Sequence, residues 1–365
     1  MNGGASRGEF FSGTGMTTSV SRVDPAVLPV AESISHSPIW TLTGVQVLGI
    51  GGYVPPRVVP NEELASLGCD ANWIEQRTGI RQRRQADPSL ATSDLAYEAA
   101  VNCLASADIS PEEIDLIVLA TMSADSPAPS TACRLQRRLG CAAPAFDVSA
   151  ACAGFMYALS TGMQYVKTGN ARRVLVVGSD VMTRTVNPAD KKTYPLFGDG
   201  AGAVLLGAGD TDQGFLAYTL GADGSGVELL QVPAGGSREP LTAESLGKGR
   251  QYMSMDGKAV FKWAVRLVAD SCREVLGHAG LTTGDVTWLV LHQANKRILE
   301  AAAADLGMPI DRVVMNLDRY GNTSAGSIPL VLDELNQQGK LRRGDRVLLS
   351  GFGAGLAWGT GLFRW

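Results

Sequence analysis

The sequence predicts an α/β protein built from two similar halves, and three observations carry that prediction. From Val45 onwards, short apolar runs of strand length alternate with longer segments of helical periodicity, the pattern of a largely parallel or mixed sheet. Segments lying about 172 positions apart resemble each other three times over. The length, 365 residues, suits roughly two average domains or one large composite unit.

Residues 1–44 stand outside this pattern. They are rich in Gly, Ser, Thr and Pro with little apolar periodicity, and read as a flexible leader. The basic start and apolar stretch of a secretory signal are missing, and Glu9, Asp24 and Glu32 argue against a transit peptide. Within the body, strands are expected at Val45–Ile50, Asp115–Thr121, Val174–Gly178, Gly202–Leu206, Trp288–His292 and Val347–Gly351. Helices are expected at Leu95–Ala105, Met156–Thr168, Phe261–Ala279 and Lys296–Leu306. The repeat pairs Pro111–Thr121 with Thr283–Gln293 at an offset of 172, and Ala171–Gly178 with Gly344–Gly351 at 173. Between them, Ala153-Gly154 matches Ala325-Gly326, again at 172. A near-constant offset divides the body into halves 45–210 and 211–365. Packed about a pseudo-twofold axis, they would bring Cys152 opposite the Asn322–Ser324 loop.

Composition narrows the function classes. The chain is 45% hydrophobic and 19% charged, with a net charge of −4. Such a balance disfavours a nucleic-acid partner, and no apolar run approaches the ~18 residues of a membrane span. The six cysteines form no CxxC pair and have no histidine at zinc-site spacing, so no metal is expected. A large core-rich chain without a signal peptide reads as cytoplasmic, with reduced thiols.

Cys152 has a distinctive setting. The strand-like Ala145–Val148 runs through small residues into a helix pattern with Phe155, Leu159 and Met163 at spacing four. The cysteine thus falls near a helix N-terminus, where free N–H groups and the helix dipole favour a thiolate. A buried structural cysteine fits the same segment, since free cysteines are among the most buried residues. Of three histidines, His36 lies in the leader and His278 ends a helix, whereas His292 ends an apolar strand. Catalysts gather at the carboxyl ends of strands in α/β sheets, so Cys152 and His292 together point to nucleophilic catalysis. Asn322, in the polar loop Tyr320–Pro329, either caps a helix or supplies a neutral donor to a developing oxyanion.

Two glycine-rich segments, Phe197–Ala203 and Gly351–Gly359, superficially suggest phosphate loops. Neither contains GxxxxGK[ST], and the second lies too near the C-terminus for a dinucleotide fold to follow. A backbone N–H in Gly353-Ala354-Gly355 fits the polarisation of a carbonyl better.

As a set, these motifs resemble the thiolase superfamily, and within it the β-ketoacyl-acyl-carrier-protein synthase III family. They are Asp147–Phe155, Leu291-His-Gln-Ala-Asn295, Gly321-Asn-Thr-Ser-Ala-Gly326, Phe197-Gly-Asp-Gly-Ala-Gly202 and the terminal glycine-rich segment. The resemblance covers about residues 45–365 and implies a layered αβαβα architecture. It implies an initiating decarboxylative condensation of acyl-CoA with malonyl-acyl-carrier-protein (malonyl-ACP) through an acyl-cysteine. Cys152 would be the nucleophile, His292 and Asn322 would stabilise the enolate, and the N–H groups of Cys152 and Ala354 would form the oxyanion hole. By the same resemblance, Trp73 would stack on the CoA adenine, Arg77 would lie near its phosphates, and Lys191 aligns where many relatives carry an arginine near CoA. Lys262 and Arg297 would meet the acidic carrier protein, or else be plain solvated helix charges. A homodimer and the absence of any resident cofactor are implied too.

Two departures stand out: the leader, and Ala128. The latter aligns in a loop that closes the partner's acyl pocket, where acetyl-selective relatives carry a bulky aromatic. A deeper pocket, admitting longer or branched primers, is therefore expected. Other readings are an acyltransferase of the same fold that forms no carbon–carbon bond, and a catalytically silent partner subunit. Asn322 beside His292 weighs against the first, and intact Cys152 against the second. A degradative thiolase would need a second cysteine in the terminal segment, where none occurs.

Overall fold

The structure, a computed structural model, describes residues 37–365. Its first half contains β1 (Ile39–Thr43), β2 (Val45–Tyr53), the ribbon β3 (Arg57–Pro60) and β4 (Gln82–Gln85), then β5 (Leu116–Ala120), β6 (Ala145–Val148), β7 (Val174–Val181) and β8 (Asp199–Ala208). Its helices are α1 (Ala71–Thr78), α2 (Thr92–Ala107), α3 (Thr131–Leu139) and α4 (Gly154–Lys167). The second half contains β9 (Gly214–Ala222), the short ribbon β10 (Leu230–Gln231) and β11 (Ser254–Met255), β12 (Trp288–Leu291), β13 (Arg346–Gly353) and β14 (Ala357–Arg364). Its helices are α5 (Ala243–Gly247), α6 (Gly257–His278), α7 (Lys296–Leu306), α8 (Leu317–Tyr320) and α9 (Ser327–Gln337).

Two five-stranded mixed sheets dominate, ordered β2-β8-β7-β5-β6 and β1-β9-β14-β13-β12. Both follow one scheme: a parallel pair (β5 with β7, β12 with β13), then two antiparallel neighbours. Helices α4 and α9 lie between the sheets, in a core containing Phe155, Leu159, Met163, Ile328 and Val331. Helix α4 is buried almost all round, as a central helix must be. Helices α2 and α3 cover the outer face of the first sheet, and α6 and α7 that of the second. The layers therefore run αβαβα.

All the expected strands and helices are present: most start earlier or run longer than expected, Lys296–Leu306 has the expected bounds, and the strands at Leu116–Ala120 and Trp288–Leu291 are slightly shorter. The leader boundary is corrected. Residues 1–36 lie outside the described residues, but Ile39–Thr43, placed in the leader by composition, form β1 and pair antiparallel with β9. That pairing joins residues about 175 positions apart, and a five-residue run half of which faces solvent gives no local signal.

The repeat shows itself most clearly where the halves cross. Ala151–Ala153 and Ser324–Gly326 are matching single turns of 3-10 helix leading into α4 and α9. Each begins with a non-glycine residue at positive φ, Ala151 at 46° and Ser324 at 50°. The structural offset here is 173, so Cys152 corresponds to Ala325 and the earlier match of Ala153-Gly154 slips by one. Each turn crosses a strand of the opposite half, β13 or β7, at a glycine. A Cβ on Gly178 would lie 2.2 Å from the Ala325 carbonyl oxygen, and one on Gly351 would lie 3.4 Å from the Ala153 Cα. Close backbone approach demands glycine at 178, whereas at 351 the tighter neighbour is the Met156 side chain, 3.1 Å from the added atom.

Candidate active site

The turn at Ala151–Ala153 holds Cys152 at the start of α4, between the sheets, with only 6% of its surface exposed. The sequence left two readings there, a thiolate favoured by the helix terminus and a buried cysteine. Burial prevails over the terminus: it pushes the thiol up to about 12, the Ser324 hydroxyl pulls it back only partly, and the Asp180 carboxylate raises it further. Desolvation outweighs a helix terminus, so Cys152 rests as a neutral thiol. Cys272 is pushed equally high by burial in the core. What distinguishes Cys152 is therefore its access to a cavity, not its acidity.

His292 directly follows β12, its N–H donating to the Ser350 carbonyl of β13 (2.8 Å). Its ring is edge-on to Phe352 at 5.3 Å between centroids, and its Nδ1 lies 2.8 Å from the Ser327 hydroxyl. Full burial pushes the imidazole down to about 3, so it is neutral at pH 7. Asn322 holds a turn rather than capping a helix. Its Oδ1 accepts the Ser324 N–H (2.8 Å), fixing the turn, which leaves the amide hydrogens for the cavity. Its backbone N–H donates to the Leu196 carbonyl (2.8 Å), and its carbonyl accepts the Gly198 N–H (3.0 Å). The segment Phe197–Ala203 is thus a brace for the asparagine loop. A Cβ on Gly198 would sit 2.0 Å from the Tyr320 carbonyl oxygen.

The second glycine-rich segment does the same for the cysteine. β13 ends at Gly353, where a Cβ would lie 2.8 Å from the Cys152 nitrogen, and Ala354 follows. Cys152, His292, Asn322, Gly353 and Ala354 line one cavity. Its other walls are apolar apart from Asn295 and include Met122, Leu230, Met253 and Phe352. Two neutral side-chain donor groups and one thiol in a largely apolar chamber suit acyl chemistry with a developing oxyanion.

The chamber opens beside Leu196, Met255, Phe261 and Asn295 into a wider groove, which these residues also line. Trp73, Arg77, Lys191 and Arg297 line that groove. Asp70 caps α1 by accepting the Trp73 N–H (2.7 Å), and Gly79 ends the helix at φ 78°. Asn295 caps α7 through the Arg297 N–H (2.9 Å) and donates to the Arg77 carbonyl (3.2 Å), tying α1 to α7. The Arg77 guanidinium lies 4.7 Å from the Trp73 ring centroid, and the indole is 37% exposed. Lys262 is exposed on α6 and lines neither the chamber nor the groove. Ala128 lies on an exposed loop and does not reach this chain's own chamber.

Sequence reasoning missed two residues of the site. Ser327, quoted only as part of a polar loop, is the partner of His292. Asp180, fully buried, accepts hydrogen bonds from Thr121, Met122, Ser123 and the Ala325 N–H, pinning the loop after β5 to the second half's turn. Its only signal was a Ser-Asp pair closing an apolar strand.

Models of 3-oxoacyl-[acyl-carrier-protein] synthase III match residues 146–224, and the C-terminal part of that family matches residues 276–365. The β-ketoacyl-[acyl-carrier-protein] synthase III of Rhodopirellula baltica is 56% identical over 342 residues, covering 89% of this chain and 99% of its own. The chain belongs to the β-ketoacyl-ACP synthase III family. A family member from Caldanaerobacter subterraneus is 45% identical over 321 residues, or 87% of this chain and 97% of its own. Among solved structures, the synthase III of Pseudomonas aeruginosa is 45% identical with a TM-score of 0.81, covering 88% of this chain and 98% of its own. The priming β-ketosynthase of the R1128 polyketide pathway is 38% identical with a TM-score of 0.80, over 88% of this chain and 96% of its own. The thiolase-like fold expected from the motifs is therefore shown. Among the described residues, no helix is long and apolar enough to cross a membrane.

Proposed function

We propose that this condensing synthase catalyses the initiating step of fatty-acid or polyketide assembly. Acyl-CoA and malonyl-ACP become β-ketoacyl-ACP, CoA and CO2, with one proton taken up. The observation that carries the reading is the single chamber shared by Cys152, His292 and Asn322, continuous with a groove holding an exposed indole and a guanidinium.

Cys152 sulfur attacks the acyl-CoA carbonyl, the bond to the CoA sulfur breaks, and the thiol proton leaves with CoA. The N–H groups of Cys152 and Ala354 receive the oxyanion. Malonyl-ACP then loses CO2, and the electron pair left behind becomes an enolate whose oxygen is met by His292 and Asn322. Neutral donors suit this step, because they favour the enolate without stabilising the ground-state carboxylate. The enolate carbon attacks the acyl thioester, the Cys152–acyl bond breaks, and the thiolate takes up a proton. A reading in which the acyl group merely moves onward gives the amide hydrogens of Asn322 no enolate to meet.

Trp73 stacks on the nucleotide base, and Arg77 and Lys191 face its phosphates. Arg297, over Phe261 at 5.5 Å, and Lys262 at the surface of α6 receive the acidic carrier protein. The loop bearing Ala128 reaches the acyl chamber of a second copy, so the working form is a homodimer with room for primers longer than acetyl. Six free cysteines, Cys133 among them exposed, fit a reducing cytoplasm. The chemistry calls on no metal or organic cofactor.

The test is intact-protein mass spectrometry with a panel of acyl-CoAs, with Cys152→Ala as control, followed by malonyl-ACP. An adduct on Cys152 that is converted to β-ketoacyl-ACP is expected. An adduct that survives malonyl-ACP and passes to another acceptor would move the assignment to acyl transfer.

A further inference from the structure

Ser327 occupies the first position of α9 and is 1% exposed, as is His292. Its hydroxyl has two partners: Nδ1 of His292 at 2.8 Å and the Gln293 backbone N–H at 3.4 Å. A backbone N–H can only donate, so it takes up a lone pair on the hydroxyl oxygen. The hydroxyl hydrogen is then left with one acceptor, Nδ1. Were Nδ1 protonated instead, two donors would converge on the oxygen and the hydroxyl hydrogen would be stranded in a buried site, a costly arrangement.

We propose that Ser327 is the positioning residue that selects the tautomer of His292, holding Nδ1 as an acceptor so that Nε2 carries the proton into the chamber. The reading rests on the condensation proposed above. Enolate charge develops on the thioester oxygen, and only an Nε2–H meets it with a donor; the other tautomer presents a lone pair to a growing negative charge. The same neutral ring cannot serve both senses, so the tautomer decides between assisting decarboxylation and opposing it. Burial supports this, since a neutral imidazole is the form that has a tautomer to select. Ser327 touches no substrate and acts wholly through the ring. It begins α9 directly after the turn that corresponds to the cysteine turn of the first half. The duplicated crossing thus supplies the nucleophile from one half and the histidine's partner from the other.

The test uses the full chain labelled with 15N-histidine, whose three histidines are told apart with a His292→Asn variant. Long-range 1H–15N correlation at pH 7 is expected to show His292 protonated at Nε2. In Ser327→Ala that signature should weaken toward a mixture, and in Ser327→Thr, which keeps the hydroxyl, it should return. Condensation by Ser327→Ala should fall about 10- to 100-fold, less than the ~10²–10³ lost with a whole oxyanion donor, and recover in Ser327→Thr. Acylation of Cys152 should fall far less than condensation. A wild-type His292 protonated at Nδ1, or a folded Ser327→Ala that condenses at full rate, would overturn the proposal. The wild-type spectrum decides the matter even if the alanine variant does not fold. Failure of Cys152 to take any acyl group would instead overturn the condensation reading, with the tautomer still read from the spectrum.

Discussion

Replacing Gly353 by alanine puts the placement of the cysteine turn to a direct test. The added Cβ would lie 2.8 Å from the Cys152 nitrogen, 3.0 Å from its Cβ and 3.2 Å from its Cα. Ordinary contact begins near 3.4 Å, so the two segments must part by about 0.6 Å. None of these atoms ends a flexible side chain, so the backbone itself has to move. Gly353 has no positive φ, and the effect is therefore steric alone. Overpacking of this kind costs about 1–3 kcal/mol, which appears as a lower Tm. The moving parts carry the N–H groups of Cys152 and Ala354, and under the proposed function acylation depends on their aim at the oxyanion. Losing one such donor costs ~10²–10³ in rate, so single-turnover acylation should slow on the order of 10²-fold. The assay follows the acyl adduct on Cys152 by rapid quench and intact mass, beside Gly277→Ala as control. Gly277 has nothing within 4 Å of the added atom and lies in a helix, where alanine is the better former. If Gly353→Ala acylates at the wild-type rate with an unchanged Tm, the close packing of β13 on the cysteine turn is wrong, and so is its oxyanion role.

Gly198→Ala should produce the complementary defect, because its Cβ would press on the Tyr320 carbonyl at 2.0 Å and shift the Asn322 loop. Condensation should fall at least tenfold while acylation holds, and equal loss of both would contradict that separation. Alkylation of Cys152 in the free protein, followed by peptide mapping against exposed Cys133, should rise about tenfold per pH unit through pH 10, since burial pushes this thiol up to about 12. A rate that levels off below pH 8 would show a thiolate at rest. His292 lowers acid stability by a definable amount. Its folded form resists protonation down to about 3, whereas the unfolded chain takes the proton below ~6.5, so its contribution is intact above 6.5 and lost as the pH falls toward 3. At pH 5 the loss is about 2 kcal/mol, and the drop in unfolding free energy from pH 7.5 to 5 should be smaller by that amount in His292→Asn. Identical drops in the two proteins would refute the burial argument.

The sequence by itself determined the alternation of strands and helices and the two-half plan, and it singled out Cys152, His292 and Asn322, which the structure brings to one cavity. These are properties of local periodicity and of short spacings, which survive in one dimension. The glycines at 178 and 351 were visible as part of the repeat, but the reason for the first, the Ala325 backbone of the other half crossing over it, was not. Tertiary structure alone decided four things. It moved the start of the fold back to Ile39, because β1 is stabilised by a partner far along the chain. It set the offset of the active turns at 173, because equivalence there is fixed by backbone conformation rather than by matching letters. It made Cys152 a neutral thiol, because desolvation sums over both halves while a helix terminus acts locally. And it joined Ser327 to His292 across 35 residues, since a hydrogen bond between two buried side chains exists only once α9 and β12 have packed together.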